Sequence, residues 1–408
     1  MFNDKLESLR GVAALVVAIY HSFLVFAVDQ NQVIWESTLF DVTGTNSFLT
    51  RMALAIFNGS AAVSIFFVLS GYVLGLSLDR KPRKLTTYHA FYIKRFFRIY
   101  PTYFVSLTLI VLSIVLFHSY IKFPNTSLWY NWWYTEGITL KNALANYSLV
   151  KIDINNVAWT LKVELIISLF FPLFYLINRR FGLKVNLLFL LGLIIMGYTG
   201  PIVDTIQYAF MFHIGLMLPY FVKKQQSPVS SFFCGNLAFM IGLVCLLSAR
   251  LFLAKIDYFF PILVEGIASG FLIWILLSTE ENTSFNRFLK INLVKKLGKY
   301  SYSFYLFHFI VMYWLAYCMF LVITPEISAT YPVILSSLLA VISIPITYFI
   351  AIVSYKCVEV PMIKHGAVIA EVLSTGTKRS LDRIAMVVIR WRRKKEFLPL
   401  SFAFKRFW

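Results

Sequence analysis

The amino-acid sequence predicts an all-α, polytopic membrane protein of about ten transmembrane helices with both termini cytoplasmic. Three observations predict it. Of 408 residues, 59% are hydrophobic and 14% charged, against about 25% charged in soluble proteins, and no soluble fold of this size hides so much apolar surface. Apolar runs near the ~20 residues that cross a bilayer recur along the chain. The basic residues punctuate those runs instead of clustering on a polar domain, so the formal charge of +19 reports topology and does not suggest nucleic-acid binding.

The runs lie at 9–28, 52–78, 99–118, 159–177, 185–200, 207–222, 231–254, 259–278, 301–323 and 332–358. The run at 185–200 is short and could be tilted or paired with its neighbour. An even number of spans puts both termini on one face. The N-terminus, the connections 79–98, 178–184, 223–224 and 279–300, and the tail after 358 hold 30 of the 38 Lys and Arg residues, which makes that face cytoplasmic. The opening MFNDKLESLR is mixed in charge and leads into a run carrying Arg10 and His21, a poor signal-peptide pattern, so the first helix is expected to be retained. Cys234, Cys245, Cys318 and Cys357 sit in apolar runs without paired spacing, which indicates neither a disulfide framework nor a zinc site. Residues 1–361 are expected to form the membrane domain and 362–408 a basic cytoplasmic tail. In that tail Leu381, Ile384, Ala385 and Val388 line one side ahead of Arg390, Arg392, Arg393, Lys394 and Lys395, a pattern for a helix lying on anionic lipid headgroups.

Ionisable groups inside spans are costly and point to function. In the first run Arg10 and His21 are eleven residues apart, within about 20° of one helix face and roughly 16 Å apart along it. Arg10 could instead snorkel to the headgroups, and His21 could be a satisfied interhelical hydrogen-bonder; a buried histidine is also the usual proton-handling group near neutral pH. The second run ends in FFVLSGYVLGLS, where Ser70, Gly71 and Gly75 suit close helix packing, or Gly71 could let a thin substrate arm pass the backbone. In the loop that follows, YIKRFFRIYP sets Arg95 and Arg98 at i,i+3 beside Lys94, a topology signal or a fork for phosphate oxygens. The loop at 119–158, with Trp129, Tyr130, Trp132, Trp133 and Tyr134, reads as an interfacial aromatic belt that could also help form a sugar-stacking mouth. AWTLKVELIIS places Trp159 near the outer face and Thr160 and Glu164 on a shared face; Lys162, two residues from Glu164, does not face it. The ninth run carries Ser301, Tyr305 and His308 at i, i+4, i+7, a polar stripe that must face the bundle interior. The tenth ends in VEVP, with Glu359 at the rim and helix termination expected at Pro361.

Six segments stand in an order that resembles acyltransferase family 3, the integral membrane acyl-CoA-dependent O-acyltransferases: LESLRGVAALVVAIYH, FFVLSGYVLG, KRFFRIYP, AWTLKVE, SYSFYLFH and VEVP. The resemblance covers roughly residues 6–361 and implies transfer of an acyl group, most often acetyl from acetyl-CoA, to a hydroxyl of a carbohydrate acceptor at a bacterial inner membrane. It implies a catalytic role for His21 and donor contacts for Arg10, Arg95 and Arg98, with no metal required. Trp-Thr-Leu and Lys162 depart from a commoner Trp-Ser-Leu followed by an apolar or small residue, which bears on the acceptor side. The short tail looks like the stand-alone form. On this reading CoA leaves its phosphates at the arginines and threads past Ser70 and Gly71 toward His21. Tyr305, Ser70 or His308 could then stabilise the oxyanion, Trp159 and Glu164 face the acceptor, and the catalytic role passes to His308 or Glu164 if His21 is structural. Intramembrane His, Glu and Arg would equally suit a proton-coupled exporter of a glycan or small solute. The absence of an inverted repeat and the paired arginines argue against that class.

Overall fold

The computed structural model describes residues 4–79, 84–200, 203–224, 232–279 and 283–375, and every named element among them is helical. α1 (Asp4–Ser22) carries Asp4 and Glu7 in its first turns, where carboxylates suit the helix dipole. α2 (Thr45–Ile56) stops at Phe57. The Asn58 side chain then accepts the Ala61 N–H at 3.0 Å and starts α3 (Gly59–Asp79), so the expected run at 52–78 is two helices separated by an Asn cap. α4 (Leu85–Phe117) is one 33-residue helix through Pro101, about 50 Å long by its rise. Residues 85–98, expected in a connection, form its first part, because Lys, Arg, Tyr and Phe carry enough helix propensity to continue beyond the apolar layer.

At the far end α5 (Leu128–Asn131) and α6 (Leu140–Tyr147) lie in the long loop. α7 (Trp159–Arg180), α8 (Leu183–Thr199), α9 (Val203–Ile206) and α10 (Ala209–Lys224) follow, then α11 (Phe232–Leu253) and α12 (Phe259–Ser278). Short α13 (Ser284–Leu289) precedes α14 (Asn292–Val322), and α15 (Pro325–Thr330) precedes α16 (Pro332–Ser354). α16 passes through a π-turn at Tyr355–Glu359 directly into α17 (Val360–Thr375). Termination at Pro361 is thus corrected: the π-turn interrupts the α-helical hydrogen-bond pattern just ahead of the proline, where its missing N–H does least harm. The helical body therefore runs past residue 361, with Gly366 packed on Phe97 of α4. The amphipathic stretch expected at 381–397 lies outside the described residues.

Seven helices among the described residues are long and apolar enough to cross a membrane, while Leu183–Thr199 and Ala209–Lys223 are apolar but shorter. α1 is not among the seven, since Asp4, Lys5, Glu7 and Arg10 crowd its first turns. These three helices account for the difference from the ten expected runs. Lys295 lies 3.9 Å from Asp4 and Arg179 pairs with Asp79, which gathers these helix termini at one basic end. Asp41 pairs with Lys255 at the opposite end (2.7 Å).

Two backbone crossings hold the centre of the bundle. α1 and α14 run parallel and touch at Gly11 and Gly298, where an added methyl would overlap the other helix's backbone. α3 and α10 run parallel and meet at Gly71 and Gly215, facing the carbonyls of Phe212 and Val68. Small residues permit such approach in a bilayer, where packing replaces the hydrophobic effect as the driving force between helices. A buried carboxylate, Glu265 on α12, ties the start of α3 to the end of α11 by accepting from Asn58 (3.1 Å), Ser60 (2.7 Å) and Arg250 (3.1 Å).

The long loop folds back onto the segment after α1. Ser127 N–H donates to Val25 O at 3.0 Å and Leu128 N–H to Gln32 O at 3.1 Å. Trp129, Tyr130 and Tyr134 are consequently buried, whereas Trp132 is 56% exposed. Most of the expected aromatic belt is therefore a packed cap over the C-terminal half of α14, with Tyr130 stacked on Tyr313 at 4.8 Å.

Candidate active site

A cavity of about 350 Å³ opens between α1, α3, α4, α7 and α14. Along α3 its lining runs from Leu78 to Phe66, twelve residues or about 18 Å of helix. Arg10, Lys94, Arg95 and Arg98 line it against a single carboxylate, Glu164. Such an excess of cations in a low-dielectric slot attracts an anion. The i,i+3 spacing on α4 turns Arg95 and Arg98 to the same side, and each meets a carboxylate from a different helix. Arg95 lies 3.1 Å from Glu164 and donates to Ser168 Oγ at 2.9 Å, two groups one turn apart on α7. Ser70 of α3 also donates to Glu164. Arg98 donates to Glu359 at 2.6 Å, and Ser303 donates to the same carboxylate at 2.8 Å.

Arg10 differs from both. Its hydrogen bond goes to the neutral Ser301 Oγ (3.3 Å), and among the described residues no carboxylate lies within ion-pair distance of it. A charge without a counter-ion in so enclosed a position is expensive, which makes Arg10 the guanidinium most in need of an anionic ligand.

One turn beyond Tyr305 and two beyond Ser301 along α14, the histidines meet: His21 Nδ1 and His308 Nε2 are 2.9 Å apart. The hydrogen bonds set the tautomers. His308 Nδ1 lies 2.7 Å from Tyr305 O, and a carbonyl only accepts, so Nδ1 carries the proton. Neutral His308 is then an acceptor at Nε2, His21 donates from Nδ1, and a lone pair is left on His21 Nε2. The same logic of an oriented imidazole underlies catalytic dyads generally. Trp129 stacks on the His21 ring at 5.2 Å and 27°, so the loop cap also fixes the plane of the base. Tyr305 lies between dyad and cavity: it lines the cavity, its ring is 5.7 Å from that of His308, and it shares a 3.1 Å hydrogen bond with Thr160 Oγ.

Of the residues marked by sequence, Arg10, Ser70, Arg95, Arg98, Glu164 and Tyr305 come together around the cavity. His21 and His308 form their own pair beside it. Four readings are revised. Glu164, assigned to the acceptor side because it lies near the start of a span, belongs to the basic cluster, where it meets Arg95 and Ser70. Gly71 faces Phe212 O and not the cavity, so it serves helix packing and not passage of a substrate arm. Trp159 packs on Tyr208 (5.3 Å) and on Phe67 (6.1 Å), which lines the cavity, but does not itself line it. Glu359, read as a rim residue that could be merely solvated, is only 1% exposed. Ser303 and Phe66 escaped a functional reading, and Trp129 was read as part of an aromatic belt or sugar-stacking mouth, not as a partner of His21. Only Ser303 had a detectable signal, as a second polar residue inside SYSFYLFH.

Comparison with known proteins agrees with this chemistry. A family model described as "Acyltransferase domain" matches residues 3–356. The chain is 24% identical over 354 residues to the "Peptidoglycan O-acetyltransferase OatA" of Listeria monocytogenes, covering 76% of this chain and 52% of that protein. It is 28% identical over 225 residues to the "Putative acetyltransferase ORF330" of Acidianus two-tailed virus, 54% of each chain. It is 31% identical over 131 residues to the "Acyltransferase MdmB" of Streptomyces mycarofaciens, 31% of each. The chain thus spans about half or less of the length of these relatives. No solved structure matches significantly.

Proposed function

The chain belongs to the acyltransferase domain family, and from that premise we propose that it moves an acyl group, acetyl by preference, from acyl-CoA to a hydroxyl of a carbohydrate. The observation that carries the proposal is a histidine with a free Nε2 lone pair beside a cavity whose charge favours an anion. The donor's phosphates bind Arg10, Arg95 and Arg98, and its thin arm lies along the roughly 18 Å of the slot. The acceptor hydroxyl approaches from the aromatic end. His21 Nε2 takes its proton while the oxygen attacks the thioester carbonyl. The tetrahedral intermediate collapses with cleavage of the C–S bond, and the departing thiolate receives that proton, leaving ester and free CoA. Tyr305, held by Thr160, is placed to donate to the oxyanion once its hydroxyl turns inward. His308 acts through His21 as its orienting partner.

The relatives named as acetyltransferases support acetyl as the group moved, and the peptidoglycan enzyme supports a glycan acceptor. The setting proposed is the inner membrane of a bacterium, crossed ten times, with the basic end and both termini in the cytoplasm, where CoA resides, and the basic tail on anionic headgroups. The test is purified protein with radiolabelled acetyl-CoA and a panel of glycans, peptidoglycan fragments included. Label appearing in a glycan, with free thiol released in equal amount, is the expected result. Solute movement across liposomes with no thiol release would replace enzyme by exporter.

A further inference from the structure

The donor cavity and the histidine pair do not share a space. Among the described residues the cavity ends at Phe66, Thr160 and Tyr305, and neither His21 nor His308 lines it. Phe66 meets the Tyr305 ring edge-on at 5.5 Å and 76°. Tyr305 is buried, its hydroxyl held at 3.1 Å from Thr160 Oγ and 3.4 Å from Val157 O. One edge-to-face pair, pinned by a hydroxyl, therefore stands between the slot and the base. A thioester resting in the cavity cannot touch His21 Nε2 while that pair is closed.

We propose that Phe66 and Tyr305 are specificity-determining residues that discriminate the acceptor hydroxyl from water. The proposal rests on the acyl-transfer reading above. The competing reaction is simple: water attacks the thioester carbonyl, the C–S bond breaks, the carboxylic acid forms, and the thiolate takes the proton given up by water. His21 would catalyse it as readily as transfer if slot water and thioester reached it together. Closed, the pair keeps donor and base apart; exclusion of water from a reactive intermediate is a recognised function of such barriers. Opening requires that the Tyr305 hydroxyl leave Thr160 and Val157 and the ring turn, a side-chain motion costing two neutral hydrogen bonds and the aromatic contact with Phe66.

The experiment uses the full chain in detergent with acetyl-CoA and reads free thiol with Ellman's reagent. Thiol release is measured without acceptor and with whichever glycan of the panel the wild type acetylates. The ratio of the two rates is independent of the folded fraction. The wild type should show a low ratio. Phe66→Ala, which opens the partition, should raise it several-fold, and Phe66→Leu should leave it near wild type. Tyr305→Phe removes only the hydroxyl that pins the ring and should raise the ratio less than Phe66→Ala; it also serves if Phe66→Ala does not fold. A ratio unchanged from wild type in both Phe66→Ala and Tyr305→Phe overturns the partition alone. A wild type that transfers to no glycan and releases no thiol overturns the transfer reading and the partition with it.

Discussion

Arg98 shows why a single substitution in this site gives an ambiguous answer. Its partner Glu359 is 1% exposed, so Arg98→Ala removes a donor contact and also strands a buried carboxylate. The stranding should cost on the order of 2 kcal/mol of stability, discounted because Arg98 is itself about a third exposed. Pairing Arg98→Ala with Glu359→Gln should restore most of the melting temperature while acetyl-CoA binding stays weaker by about 1.5–3 kcal/mol. Thermal melts and calorimetry on the two variants separate the roles; wild-type donor affinity in the double variant would make Arg98 purely structural. The histidines separate in a similar way. His21→Gln should lose transfer by 10²–10⁴-fold, because no base remains. His308→Gln keeps an oxygen that can accept from His21 Nδ1 and should retain more activity than His308→Leu, measured as initial rate at saturating donor. Equal loss in the two His308 variants would mean that His308 itself exchanges protons with substrate. The sequence identified all of these groups, since a charge in an apolar run is conspicuous. It could not pair them: His21 with His308 and Arg98 with Glu359 are 287 and 261 residues apart, and helical spacing speaks only of neighbours on one helix.

At the scale of the element, legibility depends on what ends a helix. Apolar length found most of the helices, but their limits followed local hydrogen bonding that composition does not carry. The Asn58 cap split one run in two, and the π-turn carried another past a proline. That π-turn has a functional effect as well, because the extra residue turns Glu359 inward, and π-turns often sit where a side chain must be re-aimed. Gly71 gives the clearest test of packing against passage. An added methyl would overlap Phe212 O, and backbone on both sides leaves little room to yield. Gly71→Ala should therefore reduce the yield of monodisperse protein on size exclusion, yet leave the acetyl-CoA affinity of the surviving fraction unchanged. A well-folded variant with weakened donor binding would return Gly71 to the substrate path.

For the molecule as a whole, the segregation of Lys and Arg makes a prediction that the helix inventory alone does not. Reporters fused after Gly137 should be external, and those after Lys224 cytoplasmic. A Lys224 fusion found outside would remove α8 or α10 from the set of spans, the two apolar helices that are shorter than the rest. The parallel crossing of α1 and α14 at Gly11 and Gly298 also bears on how such a protein is made. The ribosome emits the first helix long before the helix it must clasp. At roughly 5–20 residues per second, the 287 positions between His21 and His308 take on the order of 15–60 s to synthesise. Through that interval a weakly apolar helix bearing an arginine and a histidine has no α14 to rest on. It must be sheltered by the insertion machinery or remain at the interface until its partner arrives. The chemistry of this protein is thus assembled only once α14 has been made, and a chain released before then carries the base without the residue that orients it.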